Sequence, residues 1–328
     1  MTMDVATCLD PEIAIALAAS PMGSIDFGTF TFDSLPVMRQ AMADMPAVQL
    51  PLTTTESYEV VVPGATGHDP SVRVYSPPTP GSARPCVYWI HGGGYMFGSG
   101  LTVDARLNRW VEEFDCVAVS IEYRLAPEDP YPAPLDDCYA GLRWTAQHAD
   151  ELGIDPKRIA IAGASAGGGL AAGLAILARD RGEVDVAFQL LIYPMIDDRN
   201  TSASSHIDGA PVWSRDANHL GWRAYLGDLD GTDDVPGATA PARVESVEGL
   251  PPAWIGVGSL DVFRDEDIEY ASRMLAAGIP VELHVYPGAC HGFEMIVPDA
   301  AVSKACQRDI TEALRRALRP ELFAASTS

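Results

Sequence analysis

From about Tyr58 to Arg319, short β-branched runs alternate with longer helical patterns, and that alternation leaves few folds open to the chain. The runs VYWI, VAVSI, IAIA, QLLIY and AWIGV are apolar on both faces of an extended strand. A strand with one wet face would alternate apolar with polar residues. Strands apolar on both sides belong to a mostly parallel sheet covered by helices above and below. The pattern predicts strands at Tyr58–Val62, Val72–Tyr75, Cys86–Ile90, Val117–Glu122, Ile159–Ala162, Phe188–Tyr193, Ala253–Val257 and Val281–Tyr286. Helices are predicted over Val103–Phe114, Leu135–His148, Ala166–Arg181, Asp265–Ala277 and Ala300–Leu318, with Gly278 as a left-handed cap. The fold class is α/β.

Two segments interrupt the alternation. Residues 1–50 carry helical patterns with Phe27, Phe30 and Phe32 but no strand-and-crossover unit. Residues 197–240 separate two strands by more than one helix needs, and they hold Trp213, His219, Trp222 and Tyr225 among many Asp, Ser and Gly. Insertions this long in a compact domain are usually functional or disordered. Together the two segments read as a lid over one edge of the sheet, whose domain is formed by residues 51–196 and 241–328. Trp222 and Tyr225, three apart, would share a helical face.

Composition narrows the class of partners. The 22 basic and 45 acidic residues give a net charge of −23, and only Lys157 and Lys304 are lysines. Such a surface repels phosphate backbones and anionic headgroups, so neither nucleic acid nor membrane is expected as a partner. Cysteines at 8, 86, 116, 138, 290 and 306 show no CxxC pairing, which argues against zinc and against a disulfide framework. The stretch Ile13–Ser20 superficially resembles a secretory core but lacks a basic flank, so it reads as an ordinary helix. No apolar run reaches 18 residues. A cytoplasmic location is the expectation.

The sharpest chemical signal is Gly163-Ala164-Ser165-Ala166-Gly167, running from strand RIAIA into the helix GGGLAAGLAILARDR. G-x-S-x-G at such a junction is a nucleophile elbow: the turn is so tight that flanking side chains must be nearly absent, and the serine is lifted above the carboxyl edge of the sheet. A phosphate-binding loop is the rival reading. The glycines at 163, 167, 168, 169 and 173 do not form G-x-G-x-x-G, and no Gly-Lys-Ser/Thr occurs.

A serine hydroxyl needs a base, and the base needs a carboxylate. The expected chain order is Ser, acid, His. Of the histidines late in the chain, His284 sits within a strand, whereas His291 lies in the loop five residues beyond it. The loop after Ala253–Val257 offers Asp261, Asp265, Glu266 and Asp267. Asp261 is nearest the strand end, while Asp265 reads as a first-turn helix carboxylate. Acyl transfer also places negative charge on the carbonyl oxygen, and amides must already point at it. His91-Gly92-Gly93-Gly94, directly after VYWI, lets backbone N–H groups approach without side-chain obstruction, and the residue after the serine adds another. His91 itself reads as structural.

With these pieces on the page, the chain resembles the bacterial hormone-sensitive lipase family of α/β-hydrolases, a group of carboxylesterases. The similarity is carried by HGGGYMFGS (His91–Ser99), EYRLAPEDPYPAPLDD (Glu122–Asp137), GASAGGG (Gly163–Gly169), LPPAWIGVGSLDVFRDE (Leu250–Glu266) and GACHGF (Gly288–Phe293). It implies an eight-stranded, mostly parallel sheet with a helical cap. It also implies Ser165, Asp261 and His291 as triad and Gly93, Gly94 and Ala166 as oxyanion donors. Two departures stand out: Ala164 precedes the serine where most members have Asp or Thr, and Asp261 is followed by Val262-Phe263 rather than Pro-Leu.

The expected activity is hydrolysis of small, uncharged, short- to medium-chain carboxylic esters through an acyl-enzyme, with no metal and no cofactor. Amide, lactone or thioester hydrolysis on the same groups is the alternative, and a non-catalytic ligand receptor a remoter one. Trp213, Trp222 and Tyr225 are candidate pocket walls. By the same resemblance, a homodimer paired through the last strand is the expected assembly.

Overall fold

Eight strands form one sheet in the order β1-β2-β4-β3-β5-β6-β7-β8. They are β1 (Glu56–Val61), β2 (Ser71–Ser76), β3 (Arg84–Ile90), β4 (Val117–Glu122), β5 (Ile154–Ala164), β6 (Val186–Ile192), β7 (Ala253–Gly258) and β8 (Val281–Tyr286). The computed structural model describes residues 5–20, 25, 27–43, 54–64 and 67–319. β2 runs antiparallel to both β1 and β4, and every pairing from β4 to β8 is parallel. All eight predicted strands are present, so the α/β reading holds, with the fold of an α/β-hydrolase. The remaining expected cap residues 1–4, 21–24, 26 and 44–50 lie outside the described residues.

The sheet divides the interior into two cores because its central strands are apolar on both faces. β7 is buried at every position and β3 at all but the first. On one face, helices Ala133–Gln147, Ala166–Arg181 and Arg264–Ala276 contribute Leu135, Leu142, Leu170, Leu174, Tyr270 and Met274. On the other, Leu107, Trp110, Ile310 and Leu314 come from helices Asp104–Phe114 and Ala301–Leu318. Helix Pro11–Ala19 joins that second core through Ile13 and Leu17, so the secretory-like stretch is a helix packed on the sheet. Its N-cap Asp10 accepts from the amides of Glu12 and Ile13 at 2.8 and 3.3 Å, and its own N–H donates to the Gly288 carbonyl at 2.9 Å.

Helix ends follow the expected chemistry. Gly278 takes φ 78°, and the amides of Gly278 and Ile279 return to the carbonyls of Leu275 and Met274 at 3.0 Å each. The insertion forms helix Arg215–Leu226, capped by Ser214, whose hydroxyl accepts from the Ala217 amide at 3.3 Å. Among the described residues, no helix is long and apolar enough to cross a membrane.

Candidate active site

β5 ends at Ala164, helix Ala166–Arg181 begins at Ala166, and Ser165 makes the turn between them with φ 58° and ψ −125°. A non-glycine residue held there is strained and persists only where its surroundings over-determine it. Here the Ser165 N–H donates to the Ile192 carbonyl at 2.9 Å, and the Ser165 carbonyl accepts from Met195 N–H at 3.0 Å. The flanking glycines are sterically required. A Cβ at Gly163 would lie 2.2 Å from the Gly167 carbonyl oxygen, and one at Gly167 would lie 2.2 Å from that of Ile90. Ser165 is therefore fixed above the sheet edge at the positive end of a helix.

His291 and Asp261 arrive from the loops after β8 and β7. The imidazole Nε2 is 2.9 Å from Ser165 Oγ, and Nδ1 is 2.8 Å from Asp261 Oδ2. Asp261 is fully buried, and its Oδ1 accepts from the Phe263 amide at 3.1 Å. Since the carboxylate can only accept from Nδ1, the proton sits on Nδ1 and Nε2 presents its lone pair to the serine hydroxyl. The imidazole is walled by Tyr193 and Phe263, with ring centroids at 4.8 and 5.1 Å and steep edge-to-face angles. The other late histidine, His284, lies on β8 with Nε2 2.7 Å from Glu282 Oε1. Asp265 belongs to the first turn of helix Arg264–Ala276 and accepts from the Ser204 amide at 2.8 Å.

The glycine loop follows β3. The Gly93 carbonyl accepts from the amides of Met96 and Phe97 at 3.0 and 2.8 Å, which folds the loop back on itself. Among the described residues, the N–H groups of Gly93 and Gly94 donate to no protein acceptor, and that of Ala166 lies in the first helical turn where none is available. His91 lies under this loop, stacked on Tyr123 at 4.2 Å, with Nδ1 2.9 Å from the Gly92 carbonyl oxygen. Burial pulls its pKa down to about 4.

The aromatic residues of the insertion divide into two groups. Trp213 packs toward the chemistry, 6.2 Å from the His291 ring and 5.8 Å from Phe27. Trp222 and Tyr225 are buried against Tyr95, at 5.4 Å and stacked at 4.0 Å. They share the helical face that the spacing predicts, but that face supports the glycine loop from beneath.

A model of a family described as having the alpha/beta hydrolase fold matches residues 87–295. Carboxylesterase NlhH of Mycobacterium tuberculosis is 40% identical over 322 residues, covering 94% of this chain and 96% of the relative. Esterase LipI of the same organism is 38% identical over 297 residues, covering 89% and 90%. The chain belongs to the hormone-sensitive-lipase-like α/β-hydrolases. Among solved structures, Bacterial Heroin Esterase superposes on this α/β-hydrolase with a TM-score of 0.87 at 40% identity, covering 95% of this chain and 99% of that one.

Both departures from the usual hydrolase motifs leave the reacting groups in place. Ala164 is the last residue of β5 and is buried. The Phe263 amide caps Asp261 Oδ1, and the Phe263 ring, in place of the usual leucine, braces His291. The sequence reading missed Tyr193, which has φ 36°, and the pair formed by Arg106 and Glu294 at 2.8 Å. Glu294 follows His291 by three residues, and a charged group inside so apolar a loop is the signal that could have flagged it. Asp267, the last of the four carboxylates that the loop after β7 offers, stands apart from the triad. It is fully buried with neither oxygen paired among the described residues, and burial first, then the Glu266 and Asp261 charges, hold its carboxyl well above the usual range.

Proposed function

We propose that this α/β-hydrolase is a serine carboxylesterase that cleaves short- to medium-chain esters through an acyl-enzyme. One observation carries the reading: the unbroken hydrogen-bonded relay from Ser165 Oγ through His291 to Asp261, at 2.9 and 2.8 Å. Ser165 Oγ attacks the ester carbonyl as His291 Nε2 takes its proton. The tetrahedral oxyanion is held by the amides of Gly93, Gly94 and Ala166. Asp261 fixes the imidazole tautomer and stabilises the imidazolium without itself taking a proton. His291 then gives the proton to the leaving alkoxide, releasing the alcohol. Water, deprotonated by the same nitrogen, attacks the acyl-serine and frees the acid.

In this reading the described parts of residues 1–50 and 197–240 cap a catalytic body made by 51–196 and 241–328. Phe27 touching Trp213, and Arg39 reaching the glycine loop, support that division. The test combines Ser165→Ala with a fluorophosphonate probe. Native protein should hydrolyse p-nitrophenyl esters and take the label at Ser165. The variant should fold, refuse the label and lose turnover by roughly 10⁶-fold, as other triads do. Surviving turnover in clean Ser165→Ala protein would overturn the assignment. A kcat/KM series over acyl chains of about two to twelve carbons tests the chain-length limit.

A further inference from the structure

Trp213 stands at the end of a strained turn. Its N–H donates to the Pro211 carbonyl at 2.8 Å, closing a three-residue turn about Val212. Val212 has φ 68°. A turn of this size with positive φ at its centre is the rare, strained form, and a β-branched residue there is an outlier. Such a conformation is unfavourable and survives only where the surroundings enforce it.

The enforcement acts on the indole. Trp213 Nε1 donates to Asn218 Oδ1 at 3.3 Å, and the fully buried Asn218 in turn donates to Asn200 Oδ1. The far edge of the ring occupies space that only a glycine at 94 leaves open, and it lies beside Gly221. A Cβ at Gly94 would lie 2.2 Å from Trp213 Cη2, and one at Gly221 would lie 3.4 Å from Cζ2. The ring is 5% exposed and lies beside His291. Strain, a buried amide relay and the missing side chain at Gly94 all fix one ring against the glycine loop. Packing alone requires none of this, since an ordinary core tryptophan needs no outlier to deliver it.

The position matters for the tetrahedral intermediate. Of the four groups on its central carbon, one is Ser165 Oγ, one the oxyanion on the loop amides, and one the leaving oxygen facing His291 Nε2. The fourth is the acyl carbon, and we propose that it lies against the apolar wall that Trp213 forms beside Gly94. Trp213 thereby sets the acyl specificity of this enzyme: the indole excludes branching at the carbon next to the carbonyl, so the substrate class is esters of short, unbranched acids. This rests on the reading of Ser165 as the nucleophile.

The experiment compares p-nitrophenyl butyrate with p-nitrophenyl isobutyrate, which have the same carbons and leaving group and differ only in branching. The measured quantity is the ratio of their kcat/KM values. One misplaced methyl group in an apolar pocket is worth about 10–200-fold, so native protein should favour butyrate by at least that lower figure. Trp213→Leu should cut the ratio about tenfold or more. Val212→Gly, which suits a positive φ and keeps the indole, should lower the ratio by a smaller factor while melting no lower than native protein. It serves as the second variant if the first folds poorly. Native turnover with an unchanged ratio in Val212→Gly and in folded Trp213→Leu overturns the assignment of Trp213 alone. No turnover of any ester by native protein overturns this inference and the esterase reading together.

Discussion

Arg39, from the amino-terminal helix Leu35–Ala43, donates through Nε to the Met96 carbonyl at 2.8 Å, two residues beyond the last glycine of the loop at 92–94. Its Nη2 also donates to the Ala126 carbonyl at 2.8 Å, and its two terminal nitrogens reach Glu128 at 2.8 and 2.9 Å. The ion pair itself is half in solvent and contributes little, about 0–1 kcal/mol. The carbonyls contribute more, because Met96 is buried and its loop carries the proposed oxyanion donors.

Arg39→Ala should therefore destabilise the protein by about 1–3 kcal/mol. It should also lower kcat more than it raises KM, because a loosened glycine loop harms the charged intermediate rather than the bound ester. Arg39→Lys, restricted to fewer partners, should fall between. Thermal melting beside steady-state kinetics tests this, and a melting change with unaltered kcat would leave Arg39 a purely structural tie.

Glu294 is completely buried, accepts from Arg106 Nη2 at 2.8 Å, and keeps its Oε2 unpaired among the described residues. The Arg106 guanidinium lies over the rings of Trp89 and Trp110 at 5.3 and 5.8 Å. Removing one partner of a buried pair strands the other charge, so Glu294→Leu should cost about 3–5 kcal/mol. Replacing both with leucine should restore most of that, since an apolar pair of similar volume needs no desolvation. Urea unfolding of the two single variants and the double variant completes the cycle. Additive losses would mean that the ion pair is not what holds these residues in place.

What could be read from the chain, and what could not, follows one physical division. Strand identity and the elbow are local properties: residues adjacent in sequence decide whether a run is apolar on both faces or a turn admits a side chain. β5 nonetheless begins at Ile154, five residues before the predicted start, because Asp155, Lys157 and Arg158 hide a strand that pairing with β3 extends across a register shift. Arg39 and Arg106 find their partners 57 and 188 positions away. No periodicity says which of so many charges will meet. The aromatic helix shows the same limit. Its spacing defines a face holding Trp222 and Tyr225, but only the packing of Tyr95 reveals that this face supports the loop.

His91 titrates far below solvent histidine, at about 4, because burial disfavours its charged form. Its Nε2 is buried without a partner among the described residues, so an added proton would find no acceptor there. The unfolded chain takes the proton first, near pH 6.5, and the folded chain only near 4. Stability from this group is therefore complete above about pH 6.5, is lost as pH falls toward 4, and changes no further below. His91→Phe, which can still stack on Tyr123, should start less stable than native protein, and the gap should narrow across that interval. Parallel stability curves would show that the imidazole does not titrate with folding.

Asp267 carries the opposite sign. Burial, reinforced by the charges of Glu266 and Asp261, keeps its carboxyl protonated well above the usual range, with both oxygens unpaired among the described residues. The folded chain holds a proton that the unfolded chain releases near pH 3.9, so the contribution is full below that point and declines as pH rises toward the folded value. The slope approaches about 1.4 kcal/mol per pH unit for one proton. Asp267→Leu, similar in volume and without a charge to bury, removes this term. Measured against native protein by urea unfolding, it should gain at least about 1 kcal/mol in relative stability between pH 5 and pH 8. Glu266, likewise raised by burial, keeps part of the native slope in the variant because its Oε1 remains bound to the amides of Ile196 and Asp197 at 3.0 and 3.1 Å. If the relative stability is the same at both pH values, the Asp267 carboxyl is ionised in the folded protein and must have found a partner there.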